Sequence, residues 1–527
     1  MKRVTHVAYD LVHRARSSLI EVKDLDALRA TLARLGRGRR VTVRAAGLSL
    51  DAQALGDDIT LCLDPEGFGE IGAVRVRRGR ATVRLGAMAR WGDVFDVIAA
   101  KGYVTPNAVT GSAITVGGSL ASDCLSRFSG AWGKEVEAVE SVEVVTADGA
   151  LHVARPDAPE GSLARRLFAG VVGGFGALGV IVAATYRLRR VSSGRRPFAR
   201  TVFDTFERDE FSWRAFLDRV RDETLAARRV VRARGAKAWR GALPARVYDA
   251  VSATVWLRRC GPRGLLIRSR HVTKAGESRA PIYQGVTRLR TRVEYALAWR
   301  TFADVTQTIN KLYCRLRPES VDDLREFTFF MDGNAAARDY AREKGHALTS
   351  HQQTFVLPDV SAEAFAQAIE RALSPAHATI VDVLYLGPDD TPVLLSPTRA
   401  LGGFAITLGY QTLDGRRLAA ARATHRALSR LCARLGGRVS LVKNVYVADE
   451  VLAGMYAEGI AAMRALKREV DPHGRFGGPF TDRLLQRRKK SLRTDADEAP
   501  ARHPSPSRTR ESARVAPSST RRRSTPS

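Results

Sequence analysis

"TVGGSLASDCLSRFSGAWG", residues 115–133, sets four glycines and a cysteine between an apolar run and the strand-like "VEAVESVEVVTADG". Side chains this small let another group come close to the backbone. Three further turns share the character: "RAAGLS" (44–49), "TGSAITVGGS" (110–119), which overlaps the quoted stretch, and "GVVGGFGALG" (170–179). One glycine-rich turn is ordinary turn chemistry. Several in one region suit backbone N–H groups that must reach an anion, because only a residue without Cβ lets them approach it.

The surroundings of these turns give an α+β pattern over residues 1–195. "SSLIEV", "RVTVRAAG", "ITLCLD", "AVRVRRGRATVRLGA" and "ESVEVVTADGALHVARP" read as strands, with hairpin signals at Arg78-Gly79 and Asp148-Gly149. "DLDALRATLARLG" predicts a helix capped by Asp24 and stopped at Gly36, and "RWGDVFDVIAAKG" a second one closed by Gly102. Residues 196–438 bring longer helices, "DEFSWRAFLDRVRDETLAARRVVRAR" and "RRLAAARATHRALSRLCARLG", between the strands "HQQTFVLP" and "GGFAITLGYQ". They predict a second, substrate-binding (cap) domain. Residues 439–485, with "VSLVKNVYV" and one helix "DEVLAGMYAEGIAAMRALKREV" ended by Asp-Pro, return the chain to the first domain. From 486 to 527 Arg, Ser and Pro dominate, which predicts a disordered basic tail.

With 527 residues and 45% apolar composition the chain can bury more than one core. A formal charge of +30 attracts phosphates, on a small molecule or an anionic lipid, unless it is only an arginine-rich solvated surface. Nucleic acid is the poorer partner: no helix-turn-helix, zinc-finger or RNP pattern occurs, and aromatics are 7%. The five cysteines are scattered without CxxC or metal spacing, which fits a reducing compartment and no metal. The start lacks the apolar run of a signal peptide, so a cytoplasmic location is expected. Residues 167–186 carry no charge and are long enough to span a bilayer, but their glycines and the following "VIVAATYRL" read as a loop entering a buried strand. No GxxxxGK[ST] occurs, and "GGFGALG" leads into a strand where a Rossmann fingerprint must lead into a helix.

The order of the motifs resembles the vanillyl-alcohol-oxidase (PCMH-type) class of FAD-binding proteins, and within it the decaprenylphosphoryl-ribose oxidases. "RAAGLSLDAQA" stands where that family has RGLGRSYGD, "TVGGSLASD" for TVGGAIACD, and "SGAWGKEVEAVESVEVVTADG" for SAGSFGNHVRSMDLLTADG. "GGFGALGVIVAATYRL", "SHQQTFVLP", "GRVSLVKN" and "REVDPHGRFGGPFTDRLL" follow in the same order, so the likeness runs from about residue 10 to 486.

The resemblance implies a PCMH-type FAD-binding domain of two α+β subdomains, with an α+β cap built on an antiparallel sheet. It implies FAD held by Arg44, Ala45, Ala46, Gly47, Leu48 and Ser49 on one side, and by Thr110, Gly111, Thr115, Val116, Gly117, Gly118 and Ser119 on the other. Asp123, Cys124, Gly130, Gly133, Gly174, Ile181 and Ser440 complete the cofactor set. Leu48 stands where some members tether flavin through histidine, and Cys124 reads as a small buried side chain, so the FAD is expected to be non-covalent. Lys443 is the catalytic candidate, either stabilising charge on the reduced flavin or acting as the base.

Gln353, Tyr385 and Thr407 are the substrate candidates, with His351 or Gln352 able to replace Gln353 because the strand is one residue longer than the family's. "LSRFS" replaces a histidine- and lysine-bearing segment, so the cofactor half matches better than the substrate half. The implied activity is oxidation of a secondary hydroxyl of a sugar or polyprenyl-phosphate-linked sugar by hydride transfer to flavin N5. Alternatives are an oxygen-using aldonolactone or alditol oxidase, and a flavin-binding homologue without turnover. The resemblance also implies a short-chain reductase partner, and the charge a peripheral contact with the inner face of an anionic membrane.

Overall fold

A computed structural model describes residues 2–36, 38–107, 109–192, 197–257, 263–272, 314, 316, 318–332, 342–343, 349–373, 380–412 and 415–485. The basic tail and Cys260 lie outside the described residues.

Three sheets carry the fold. In the first, Arg14–Val22 pairs antiparallel with Arg3–Val7 and parallel with Ile59–Leu63, which pairs parallel with Val41–Val43. Parallel pairing needs a crossover, and the helix Leu25–Arg34 supplies it. Asp24 caps that helix as expected, its carboxylate accepting from Ala27 N at 2.7 Å. The second sheet runs Arg75–Arg77, Arg80–Gly86, Val180–Arg190, Val139–Val145, Leu151–Ala154, with Tyr103–Val104 also paired to Val180–Arg190. Its first turn is the two-residue loop Arg78-Gly79, both residues at positive φ, which matches the right-handed strand twist. The uncharged stretch 167–186 resolves into the end of helix Leu163–Val171, a tight turn and the central buried strand, so its first residues are helical where a loop was expected. Among the described residues no helix is long and apolar enough to cross a membrane.

The third sheet has eight strands in the order Glu319–Asp323, Phe198–Phe206, Gly264–Val272, Ala250–Val255, Ile380–Leu386, Gly403–Thr412, Thr349–Leu357 and Arg438–Val439, and every pairing in it is antiparallel. Alternation assigns its two faces. Phe355, Val381, Val383 and Tyr385 point towards the helices Trp213–Arg234 and Asp359–Ala372, where Phe355 meets Phe365 at 5.0 Å. Val356, Leu384, Leu386 and Ala405 point the other way and cluster with Leu125 of the first domain.

Buried ion pairs cross the same seam. Lys134, almost wholly buried, binds Asp123 and Ser396 and lies 3.2 Å from Asp389. Arg189 binds Asp249 and approaches His271 Nδ1 at 3.1 Å. The expected single helix 449–470 is two, Asp449–Met455 and Ala457–Val470, broken at Tyr456, whose hydroxyl donates to Val439 O at 2.6 Å. "VSLVKNVYV" is strand only at Arg438–Val439 and irregular afterwards.

Removing Lys134 would leave two carboxylates buried against each other without a cation. Lys134→Met is expected to cost about 3–5 kcal/mol in denaturant unfolding, and adding Asp123→Asn and Asp389→Asn should recover much of it.

Candidate functional site

The glycine turns of the first domain and the inner face of the eight-stranded sheet enclose a cavity of about 200 Å³. Strand Val41–Val43 delivers the turn Arg44–Ser49 to its edge. Gly47 sits at φ +71°, and a Cβ there would collide with the Arg44 guanidinium. That guanidinium is occupied with Val7 O at 2.9 Å, so the turn offers its backbone to the cavity. None of the amides of residues 45–49 donates to another protein group among the described residues. Five consecutive unclaimed donors on one wall fit the pyrophosphate of a dinucleotide.

On the opposite wall Thr115 caps the short helix Val116–Ser122 through Gly118 N. This stretch is helical where the sequence suggested only a glycine turn. Gly117 and Gly118 are needed there because a Cβ would come within 2.9 Å of Ala87 Cβ and of Thr115 Oγ1 respectively. Thr110, Ser119, Cys124 and Ile181 also line the cavity, as does Ser440, whose buried hydroxyl has no partner.

Lys443 closes one end. Its Nζ donates to Gln352 Oε1 at 2.7 Å. Burial lowers the ammonium's pKa, while Cys124 and Asp382 push it back up. The irregular segment around it is held from both domains. Gln53 Nε2 donates to Leu441 O and Lys443 O at 3.0 and 2.9 Å, and Asp51 accepts from Val445 N at 2.8 Å. On the cap side Asn444 N donates to Gln352 O at 2.7 Å and Ser440 N to Thr354 O at 2.8 Å.

Several expected site residues stand elsewhere. Val116 is buried with its N–H on Ala89 O at 2.9 Å, and Gly111 packs against Ile114, so both support the wall without lining it. Asp123 turns away to Lys134. Gly130 meets Thr224 and Tyr385 O of the cap, Gly133 has φ +80°, and a Cβ on Gly174 would strike Gly170 O, so these three glycines serve packing.

Gln353 faces the helix side, binding Ser429 Oγ at 2.7 Å and Tyr446 N at 2.8 Å, and Gln352 takes the inward place. Tyr385 also faces away, donating to Asp359 Oδ2 at 3.1 Å. Thr407 does face inward and shares a 2.7 Å hydrogen bond with the cavity-lining Thr354. Gln352 is one of the two alternatives that the longer strand offered; the cavity-lining residues missed include Gln53 and Thr354, and alternation along the strand from Gln352 would have found Thr354.

Beneath the helix Val116–Ser122 lies Glu135, fully enclosed, accepting from Ser119 Oγ at 2.8 Å and Tyr186 OH at 2.6 Å. Burial pushes its pKa up to about 8. Burial, with Glu135 beside it, also raises the Cys124 thiol far above its ordinary range, which disfavours a thiolate there.

Residues 17–155 match the family model of the FAD binding domain. They form an FAD-binding domain of PCMH type. The α+β organisation of its two sheets agrees, and FAD is its cofactor. An uncharacterized oxidoreductase of the fasciation locus of Rhodococcoides fascians is 33% identical over 175 residues, 33% of this chain and 36% of that protein. Cytokinin dehydrogenase 8 of Oryza sativa subsp. indica is 29% identical over 183 residues, 34% of this chain and 32% of its own length. An FAD-linked oxidoreductase of Neurospora crassa is 28% identical over 118 residues, 22% of each chain. The alignments thus span about a third or less of the curated relatives' lengths.

Glu135 gives the FAD-binding domain a pH signature. Unfolded, a glutamate ionises near 4.5, whereas the folded protein keeps this proton to about 8. The folded state therefore binds more protons between those values, and the stability this group contributes falls as pH rises through them. In thermal unfolding, Glu135→Gln is expected to lose less stability than the parent between pH 5 and about pH 8, with unchanged curves counting against a buried proton.

Proposed function

We propose that the chain is an FAD-dependent oxidoreductase that takes a hydride from a hydroxyl-bearing carbon of a sugar or a polyprenyl-phosphate-linked sugar. The observation that supports this best is Lys443, fixed by Gln352 at the end of the glycine-lined cavity and under a sheet face bearing threonine hydroxyls. When bound, FAD would supply a two-electron acceptor for the substrate hydride, and the hydroxyl proton would leave to solvent. The free amides of Ala45 to Ser49 hold the anionic part of the cofactor, and Ser440 offers it a further hydroxyl. Lys443 keeps a positive charge where negative charge develops during reduction. Gln352 holds that ammonium in place, and Thr354 and Thr407 orient hydroxyl groups of the substrate from the cap. The oxidoreductase names of the relatives agree with this chemistry class.

The test begins with the visible spectrum of the purified protein. A yellow protein that releases its FAD into the supernatant on acid precipitation is expected, because Cys124 is a poor thiolate. Free and lipid-linked sugars are then screened for anaerobic bleaching. Lys443→Met should stay yellow and be reduced at least about 100-fold more slowly. Colour that stays on the precipitate refutes the non-covalent assignment, and a yellow protein that no sugar bleaches refutes the substrate class.

A further inference from the structure

The cap sheet carries an ionisable group that the sequence motifs did not single out. Thr254, Asp382, Thr407 and Thr354 are register neighbours on four adjacent strands, and so form one polar row across the inner face. Adjacent members stand about 4.8 Å apart along such a row. The two threonines at one end satisfy each other at 2.7 Å. At the other end Thr254 Oγ1 donates to Asp382 Oδ1 at 3.0 Å. Asp382 Oδ2 has no protein partner among the described residues, and the residue is exposed to solvent on the sheet face that also carries the cavity-lining Thr354. One carboxylate oxygen is therefore free to accept from a ligand on that face. The charges within its reach are Lys443 and Arg127, the latter stacked 3.8 Å from the centre of the Phe330 ring. Desolvation by the surrounding protein raises the Asp382 pKa, and the Thr254 hydrogen bond and these two cations oppose the rise.

We propose that Asp382 is the specificity-determining carboxylate of the substrate site: it accepts a hydrogen bond from a hydroxyl or ammonium group of the substrate and turns away a carboxylate or phosphate at the reacting end. This rests on the oxidoreductase reading above. Without Asp382, Lys443 and Arg127 would make this face attractive to small anions. With it, the charges offset one another, and the free oxygen selects donors. Any phosphate of a lipid-linked sugar then lies away from this row, and its sugar hydroxyls lie along it.

Sulfite is the probe, because this small anion bleaches oxidised flavin by adding its sulfur lone pair to N5 and needs no knowledge of the substrate. Full-length protein loaded with FAD is titrated with sulfite and followed by the loss of yellow colour. Asp382→Asn is expected to bind sulfite at least about tenfold more tightly than the parent, and Asp382→Glu to stay near the parent value. Asp382→Ser, with the same expectation, serves if the asparagine variant does not retain FAD. A yellow neutral variant that matches the parent, whether both bleach or neither does, overturns the proposal. A parent that takes up no FAD overturns the oxidoreductase reading itself, and it is recognised by having no colour to bleach.

Discussion

The cavity depends on a segment, residues 440–447, that belongs to neither a helix nor a sheet. Its backbone groups must therefore be satisfied by whatever surrounds them. Gln53 and Asp51 meet that demand from the first domain, and Gln352, Gln353 and Thr354 from the cap. Asn444 ties the two sides together, donating to Leu50 O at 2.7 Å and accepting from Gln352 N at 2.9 Å. Lys443 is therefore positioned from two sides at once, by residues 51–53 and by the strand Thr349–Leu357. Its ammonium can stay desolvated because its backbone is fixed within a polar net and not on a mobile loop.

Much of this was legible in the letters, and the part that was not has a physical cause. The turn Arg44–Ser49, Thr115, Gly117, Gly118, Ser119 and Lys443 all line the cavity, because a glycine turn after a strand and a lysine among apolar residues are local signals. Gln353 and Tyr385 went to the wrong face because strand side chains alternate. A pairing register one residue out exchanges the two faces, and no single sequence fixes that register. The longer strand around Gln352 was the warning, and it is Gln352 that reaches Lys443.

Glycines failed for a different reason. A missing Cβ is needed both where a ligand approaches and where protein backbone does, and the sequence looks the same in either case. Gly47 serves the cavity, whereas Gly130 admits the cap's Tyr385 carbonyl and Gly174 admits the Gly170 carbonyl. The buried carboxylate Glu135 was equally silent, since burial of a charged residue is decided by tertiary packing.

The net around residues 440–447 also bears on the order of synthesis. A ribosome releases residues 41–63 long before it makes the chain that completes them. Val41 N donates to Arg475 O at 2.7 Å, and the Arg475 guanidinium reaches Leu32 O, Leu35 O and Ala147 O. The first domain thus emerges with an open edge that is filled only when nearly the last described residues appear. Until then its glycine turns and strand edges are exposed to solvent and to chaperones. Translation must pass Arg475 before the edge beside Val41 is closed.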